Sequence, residues 1–321
     1  PFVVDNLLTN GLTRVLVYAI ISGLSPSVIR ASIMLIMALT ASLFDRKEDV
    51  ATSTVFAAAL ILFINPYSIF DVGFLLSFSA VIGIHIFSPY VNVILRKILP
   101  GFIADILGVT LCAQVATLPV MVYIFNSVSL VSPLTNLLVV PLIEMLFIGT
   151  FIMLFIGWML PAIGTGIGAL LALPANVIIL ISKAFAGLPF ASVIIKTPNL
   201  IWLFTYAVIL CIIYLSLKNK RICKLPSAAA GVMLAFCIIV QMFPAAKFEI
   251  TFVNVGQGDC IYVSSPNGGN FLVDTGENEY DAVSFLKDKG ISHIDKIFVT
   301  HIDSDHSGGL ESIIKEIDVD E

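Results

Sequence analysis

The chain has 321 residues, 58% of them hydrophobic and only 12% charged, with a mean hydropathy of +1.02 and a formal net charge of -5. Soluble domains are roughly half apolar and a quarter charged, so a wholly soluble protein is excluded and most of the chain belongs in lipid. Net charge identifies no partner here, because a membrane protein carries its charge in separate loops whose sign has to be read one by one.

A helix needs about 20 mostly apolar residues to cross the hydrocarbon, where nothing but the helix itself satisfies backbone N–H and C=O groups. Candidate segments run over 7–21, 27–44, 51–64, 67–87, 102–125, 131–160, 163–187, 200–217 and 226–243. The third is short, and the sixth is long and carries Pro133 and Pro141, so about nine spans are expected. Together with Pro119, Pro161 and Pro174 these prolines predict kinked or broken helices, which lipid tolerates only beside protein or a water-filled cavity. Such helices fit a conduit better than an anchor, and residues 1–245 are read as a polytopic transmembrane domain.

The basic run Lys218, Lys220, Arg221 and Lys224 is cytoplasmic by the positive-inside rule. Counting spans backwards puts Arg96, Lys97, Arg46 and Lys47 on the same side. The 226–243 segment then carries the chain outward, so everything from about Lys247 is expected outside the cell membrane. Polar side chains inside apolar stretches are expensive and face a bundle interior or a polar path. Arg30, Asp71, Gln114, Asn136 and Glu144 are the candidates to line such a channel. The plainer alternative gives Asp71 a helix cap, Gln114 and Asn136 interhelical hydrogen bonds, and Glu144 a neighbour. Arg30, one turn into its helix, either binds a phosphate or snorkels to the surface.

Near Lys247 the pattern changes to alternating and charged, the mark of a second domain over residues 246–321. Residues 248–254, 260–263 and 271–274 read as strands, the last two joined as a hairpin through Pro266-Asn267-Gly268-Gly269. A helix near 279–289, a strand at 295–299 and a helix after Gly309 follow, a truncated α/β pattern. Between the last two lies Thr300-His301-Ile302-Asp303-Ser304-Asp305-His306. His301 and Asp303 alternate past the strand end and can point the same way, while Asp305 and His306 on the next turn can close round a second ion. All four are read as metal ligands, with Asp305 and Asp274 as catalytic candidates. Asp274, at another strand end, is placed to hold a water or to orient a ligand histidine. Two divalent ions about 4 Å apart suit phosphodiester hydrolysis. The five cysteines, without a CxxC pair, predict neither a disulfide framework nor a thiolate zinc site.

Leu272-Val273-Asp274-Thr275-Gly276 followed by a T-H-x-x-x-D-H turn resembles the first two motifs of the metallo-β-lactamase fold, which implies an αββα hydrolase with zinc or manganese. Asp303 stands where most members have a histidine, and this harder ligand shifts the preference from zinc toward manganese or magnesium. The chain starts at Pro1, stops in Asp318-Val319-Asp320-Glu321 and lacks the later ligand motifs, so it is read as a fragment. Phe252-Val253-Asn254-Val255-Gly256-Gln257-Gly258-Asp259 resembles the hydrolase-like domain of the ComEC family of bacterial DNA-internalisation proteins. Ser22 to Ala31, Asn65-Pro66 with Ile69 to Phe78, and Ala113 to Pro119 resemble that family's competence segments. The resemblance implies a membrane channel component importing single-stranded DNA during natural transformation, with an outer metal-dependent domain degrading the other strand. It implies single- and double-stranded DNA, the lipid bilayer and other DNA-uptake proteins as partners, and leaves a homo-oligomer open. Two alternatives stand beside it: a membrane-anchored metallohydrolase of a small ester or lipid, and a transporter with a non-catalytic hydrolase-like domain.

Overall fold

In an apolar run surrounded by lipid the backbone can satisfy itself only as helix, and the predicted runs are helical: α1 (Pro26–Leu43), α2 (Val50–Ile64), α3 (Val72–Leu95), α4 (Gly101–Phe125), α5 (Ser132–Met159), α6 (Pro161–Ala186) and α7 (Leu200–Lys218). The computed structural model describes residues 11, 13, 15–23, 26–43, 49–218, 247–266 and 269–321. The expected 226–243 span, residues 7–10, 12 and 14 of the first segment, and the basic residues Arg46, Lys47, Lys220, Arg221 and Lys224 lie outside these. Among the described residues five helices, α3 to α7, are long and apolar enough to cross a membrane. Large apolar side chains point outward from them, Phe147, Phe155 and Trp158 of α5 among them.

The expected 67–87 segment is divided. Pro66–Phe70 forms a 3-10 turn capped by Asn65, whose Oδ1 accepts the Tyr67 amide at 3.1 Å. Asp71 then caps a new helix by accepting the Phe74 amide at 2.6 Å. α3 continues through Pro89 to Leu95, and α4, α5 and α6 run uninterrupted through Pro119, Pro141 and Pro174, whereas Pro133 stands in the first turn of α5 and Pro161 opens α6 after a break at Leu160. Proline removes one hydrogen bond, whereas ending a helix in lipid would orphan several backbone groups. At Gly83 of α3 a side chain would lie 2.2 Å from the Ala116 Cβ of α4, the small-residue contact on which helix packing in membranes relies. Arg96 ties the end of α3 to Asp105 of α4 in a two-pronged pair, Nε to Oδ1 at 3.0 Å and Nη2 to Oδ2 at 2.7 Å.

By contact the chain divides into two units, residues 1–120 with 132–183, and residues 121–131 with 184–321. The boundary expected near residue 245 lies outside the described residues, and the second unit also takes in two links between helices. These links pair as an antiparallel ribbon of β1 (Ser127–Ser129) and β2 (Ser192–Ile194), with Val128 opposite Val193. The second unit continues with β3 (Glu249–Phe252), β4 (Ile261–Ser264), β5 (Asn270–Val273), α8 (Asp281–Lys289), β6 (His293–Ile294) and β7 (Lys296–Phe298). α9 (Ser304–Ser307), α10 (Leu310–Glu316) and β8 (Asp318–Val319) end it.

The main sheet has the order β3-β4-β5-β7. The β3/β4 and β4/β5 pairs are antiparallel, the latter forming the expected hairpin, and β5/β7 is parallel across α8. One face of this sheet packs with α8 and α10 into a core in which Leu272, Leu286, Ile294 and Ile313 are fully buried. Each such side chain contributes about 1.5–3 kcal/mol by leaving water. The other face leaves Ile250, Phe252 and Phe298 exposed.

The ribbon is fastened to this core. Ile194 packs against it. Thr197 Oγ1 donates to Asp288 Oδ1 of α8 at 2.7 Å, and the buried Asn126 amide donates to Thr197 Oγ1 at 2.7 Å and to the Ile195 carbonyl at 3.2 Å.

Candidate metal centre

Because β5 and β7 are parallel neighbours with Val273 opposite Phe298, the residues that follow each strand emerge side by side at the carboxyl edge of the sheet, where open α/β sheets bind ligands. Asp274 follows β5, and Thr300 and His301 follow β7. The Asp274 amide donates to the Phe298 carbonyl at 2.8 Å, and the Thr300 amide donates back to Asp274 Oδ1 at 2.8 Å. Thr300 adds its hydroxyl, 2.7 Å from Asp274 Oδ2 and 2.9 Å from His301 Nδ1. Asp274 adopts φ +58°, a left-handed conformation unusual for a residue with a side chain. Such conformations persist only where the surroundings over-determine them.

The turn carrying His306 is pinned to the same strand end, since the amide and hydroxyl of the fully buried Thr275 both donate to the His306 carbonyl, at 2.8 and 3.1 Å. His306 Nδ1 lies 2.9 Å from Asp274 Oδ2, with both side chains largely buried. This carboxylate–histidine pair fixes the imidazole and leaves Nε2 facing Asp305, whose Oδ2 is 3.6 Å away. Asp274 raises His306 above the ordinary histidine value against the opposing effect of burial, and Asp305 adds to the rise. Burial alone would raise the Asp274 carboxyl, but the Thr300 amide, His306 and the Thr300 hydroxyl bring it below the usual carboxylate range.

Ligand atoms of His301, Asp305 and His306 all lie within 4.8 Å of one another, and the two imidazole rings are 3.9 Å apart between centroids. Two imidazoles and a carboxylate, one imidazole oriented from behind by a buried carboxylate, fit a divalent cation such as manganese or zinc. Asp303, the fourth expected ligand, stands outside this group: its Oδ2 is 3.6 Å from His301 Nε2 and its side chain is 74% exposed. Asp274, expected either to hold a water or to orient a ligand histidine, lies against His306 Nδ1 at 2.9 Å.

Two residues of the site lie within the motifs read from the sequence, which gave them no role of their own. Thr300 is one, visible only as the hydroxyl next to the first histidine. Gly258 is the other: at φ +94° it brings its loop so close to the metal turn that a Cβ there would lie 1.7 Å from the Asp305 carbonyl oxygen. A second group, His293, Asp295 and Asp320, lies at the β6/β8 end. Its Asp295 carboxylate is engaged by the Asn270 amide at 2.6 Å.

The five membrane candidates do not converge. Arg30 and Asp71 face each other, Nη1 to Oδ1 at 3.8 Å. Gln114 Oε1 accepts the Ser132 hydroxyl at 3.1 Å, a bond from α4 to α5 of the interhelical kind. Asn136 is half-buried and Glu144 exposed on α5.

A family model described as competence protein matches residues 6–220, and the metallo-beta-lactamase superfamily model matches residues 253–321. The chain is similar to ComE operon protein 3 of Bacillus subtilis, 25% identical over 320 residues that cover 93% of this chain and 40% of that protein. It is also similar to Recombination protein 2 of Haemophilus influenzae, 30% identical over 107 residues, 31% of this chain and 13% of that protein. The chain therefore spans well under half the length of either relative. No solved structure matches it. Apolar helices of spanning length, a competence model covering more than half the residues, and a His/Asp centre within the metallo-β-lactamase match lead to one assignment: the chain belongs to the competence protein family, with the start of a metallo-β-lactamase-like domain following its membrane region.

Proposed function

We propose that this chain forms part of a membrane channel that imports one strand of DNA during natural transformation, while its C-terminal domain hydrolyses the other strand outside the membrane. The observation that carries this reading is the joining, in one chain, of a competence-family membrane region to a His301/Asp305/His306 centre. In this reading Gln114, Asn136 and Glu144 are the candidates to line the polar path, and the bilayer and other DNA-uptake proteins are its partners. Divalent cations held by His301, Asp305 and His306, with Asp303 at the rim, would activate water and neutralise charge developing on a phosphodiester. Asp274 would keep the His306 Nδ1 proton engaged so that Nε2 is the ligand atom, and Thr300 would hold Asp274 and His301 together.

Outward placement is supported by parity. Arg96 and Lys97 follow α3 and Lys218 ends α7, basic positions that the positive-inside rule assigns to the cytoplasm. The links holding Asn126 and Thr197 follow α4 and α6, at the opposite ends of the spans. Thr197 bonds directly to Asp288 of the C-terminal domain.

In competent cells given duplex DNA labelled on one strand, His301→Ala and Asp305→Ala are expected to abolish release of labelled fragments from the non-imported strand without reducing membrane insertion. Normal release by both variants would refute the catalytic part. The exposure of Asp303 favours a second reading, a binding-only domain, which predicts metal retention without nuclease activity in the purified full-length protein.

A further inference from the structure

A charged side chain inside an apolar helix bundle is costly unless its charge is answered. Arg30 of α1 is only 3% exposed, whereas its partner Asp71 remains 48% exposed. The two contribute to the wall of a cavity of about 390 Å³, whose other walls include Ile29, Ile33, Ile61 and Ile64. Ligand sites typically span about 300–1,000 Å³. Asp71 caps α3, a 24-residue helix about 36 Å long at 1.5 Å per residue. A helix of that length crosses the roughly 30 Å hydrocarbon core, so its capped end, and the cavity with it, lies at headgroup level.

We propose that this cavity binds one zwitterionic phospholipid of the phosphatidylethanolamine type, its phosphate on Arg30, its ammonium on Asp71 and the start of an acyl chain along the isoleucines. Charge complementarity selects this occupant. The Asp71 carboxylate repels any polyanion brought to Arg30, and the isoleucine wall offers a DNA strand nothing. An anionic lipid would meet the same carboxylate with no cation to answer it. A zwitterion sets its anion beside Arg30 and its cation beside the half-exposed Asp71 while its chain covers the apolar wall. The site is independent of the proposed hydrolysis and adds a lipid-binding role to the membrane region.

The test is native mass spectrometry of the full-length protein released from membranes containing phosphatidylethanolamine and phosphatidylglycerol. Wild type is expected to retain one phosphatidylethanolamine, and Arg30→Gln and Asp71→Asn each to retain about tenfold less, the loss of a charge-assisted contact. Ile64→Trp, at a rim position 73% exposed, narrows the mouth without touching the charged pair. It is expected to lose the lipid as well, and it decides the matter if the charge variants do not fold. Equal retention by wild type and Ile64→Trp, or retention of phosphatidylglycerol as strong as of phosphatidylethanolamine, would overturn the proposal. So would a thymidine oligonucleotide that displaces the lipid from wild type and fails to bind Arg30→Gln, which would give the cavity to nucleic acid.

Discussion

Replacing Thr300 by valine preserves the side-chain shape and removes one hydroxyl. That hydroxyl is 2.7 Å from Asp274 Oδ2 and 2.9 Å from His301 Nδ1, so it helps to hold one metal ligand directly and a second, His306, through Asp274. A hydrogen bond to a charged group contributes about 1.5–3 kcal/mol. Thr300 is exposed and its amide still holds Asp274 Oδ1 at 2.8 Å in the variant, so the lower part of that range applies. A loss of about 1.5–2 kcal/mol corresponds to roughly 10- to 30-fold in affinity, within the effect usual for groups that orient metal ligands. Competition of the full-length protein with a chromophoric chelator for manganese or zinc measures it. Thr300→Val is expected to weaken binding by that factor, Thr300→Ser to restore most of it, and His306→Ala to abolish it. Binding by Thr300→Val within about twofold of wild type, with His306→Ala inactive, would refute the proposed support.

Gly258→Ala forces a left-handed φ onto a residue with a side chain, at about 1–2 kcal/mol, and drives that side chain into the Asp305 carbonyl; overpacking adds about 1–3 kcal/mol. Hydrogen exchange is expected to quicken through residues 301–309, with metal binding lost. Lys289, against the opposing effect of burial and with Lys247 at 3.3 Å, holds the Glu249 carboxyl down to about 2. A depressed carboxylate stabilises the fold above its unfolded value near 4.3 and loses that contribution as pH falls to about 2. The pair is partly solvated and worth about 1 kcal/mol at most, so the protection factors of β3 amides, relative to intrinsic exchange at each pH, should fall across this pH window in wild type and less in Glu249→Gln. In a cysteine-depleted background an impermeant maleimide is expected to label Lys315→Cys from outside and Lys97→Cys only after permeabilisation; the reverse pattern would invert the topology.

The helices were legible because lipid leaves an apolar run no other structure, and their ends were less so because capping is decided by single residues. Ile69-Phe70 looks continuous with the helix that follows, yet Asn65 and Asp71 cut a separate turn there. The three domain strands and their hairpin were readable from alternation and the Pro266 to Gly269 turn. The β1/β2 ribbon and the two-residue β6 and β8 were not, because strands so short carry no periodicity and pair across long separations. Three of the four expected ligands meet in space. Thr300 and Gly258 stood inside the motifs, but their roles were not legible, because a hydroxyl and a close backbone approach matter only once the loops after β5 and β7 and the Gly258 loop meet in space.

The most direct test is made on the full-length protein in liposomes, supplied with end-labelled duplex DNA and either manganese or a chelator. Metal-dependent degradation of DNA by wild type, lost in the His301→Ala/His306→Ala variant and on chelation, is the predicted result. Degradation that persists in that variant, or absence of bound metal from wild type, would contradict it.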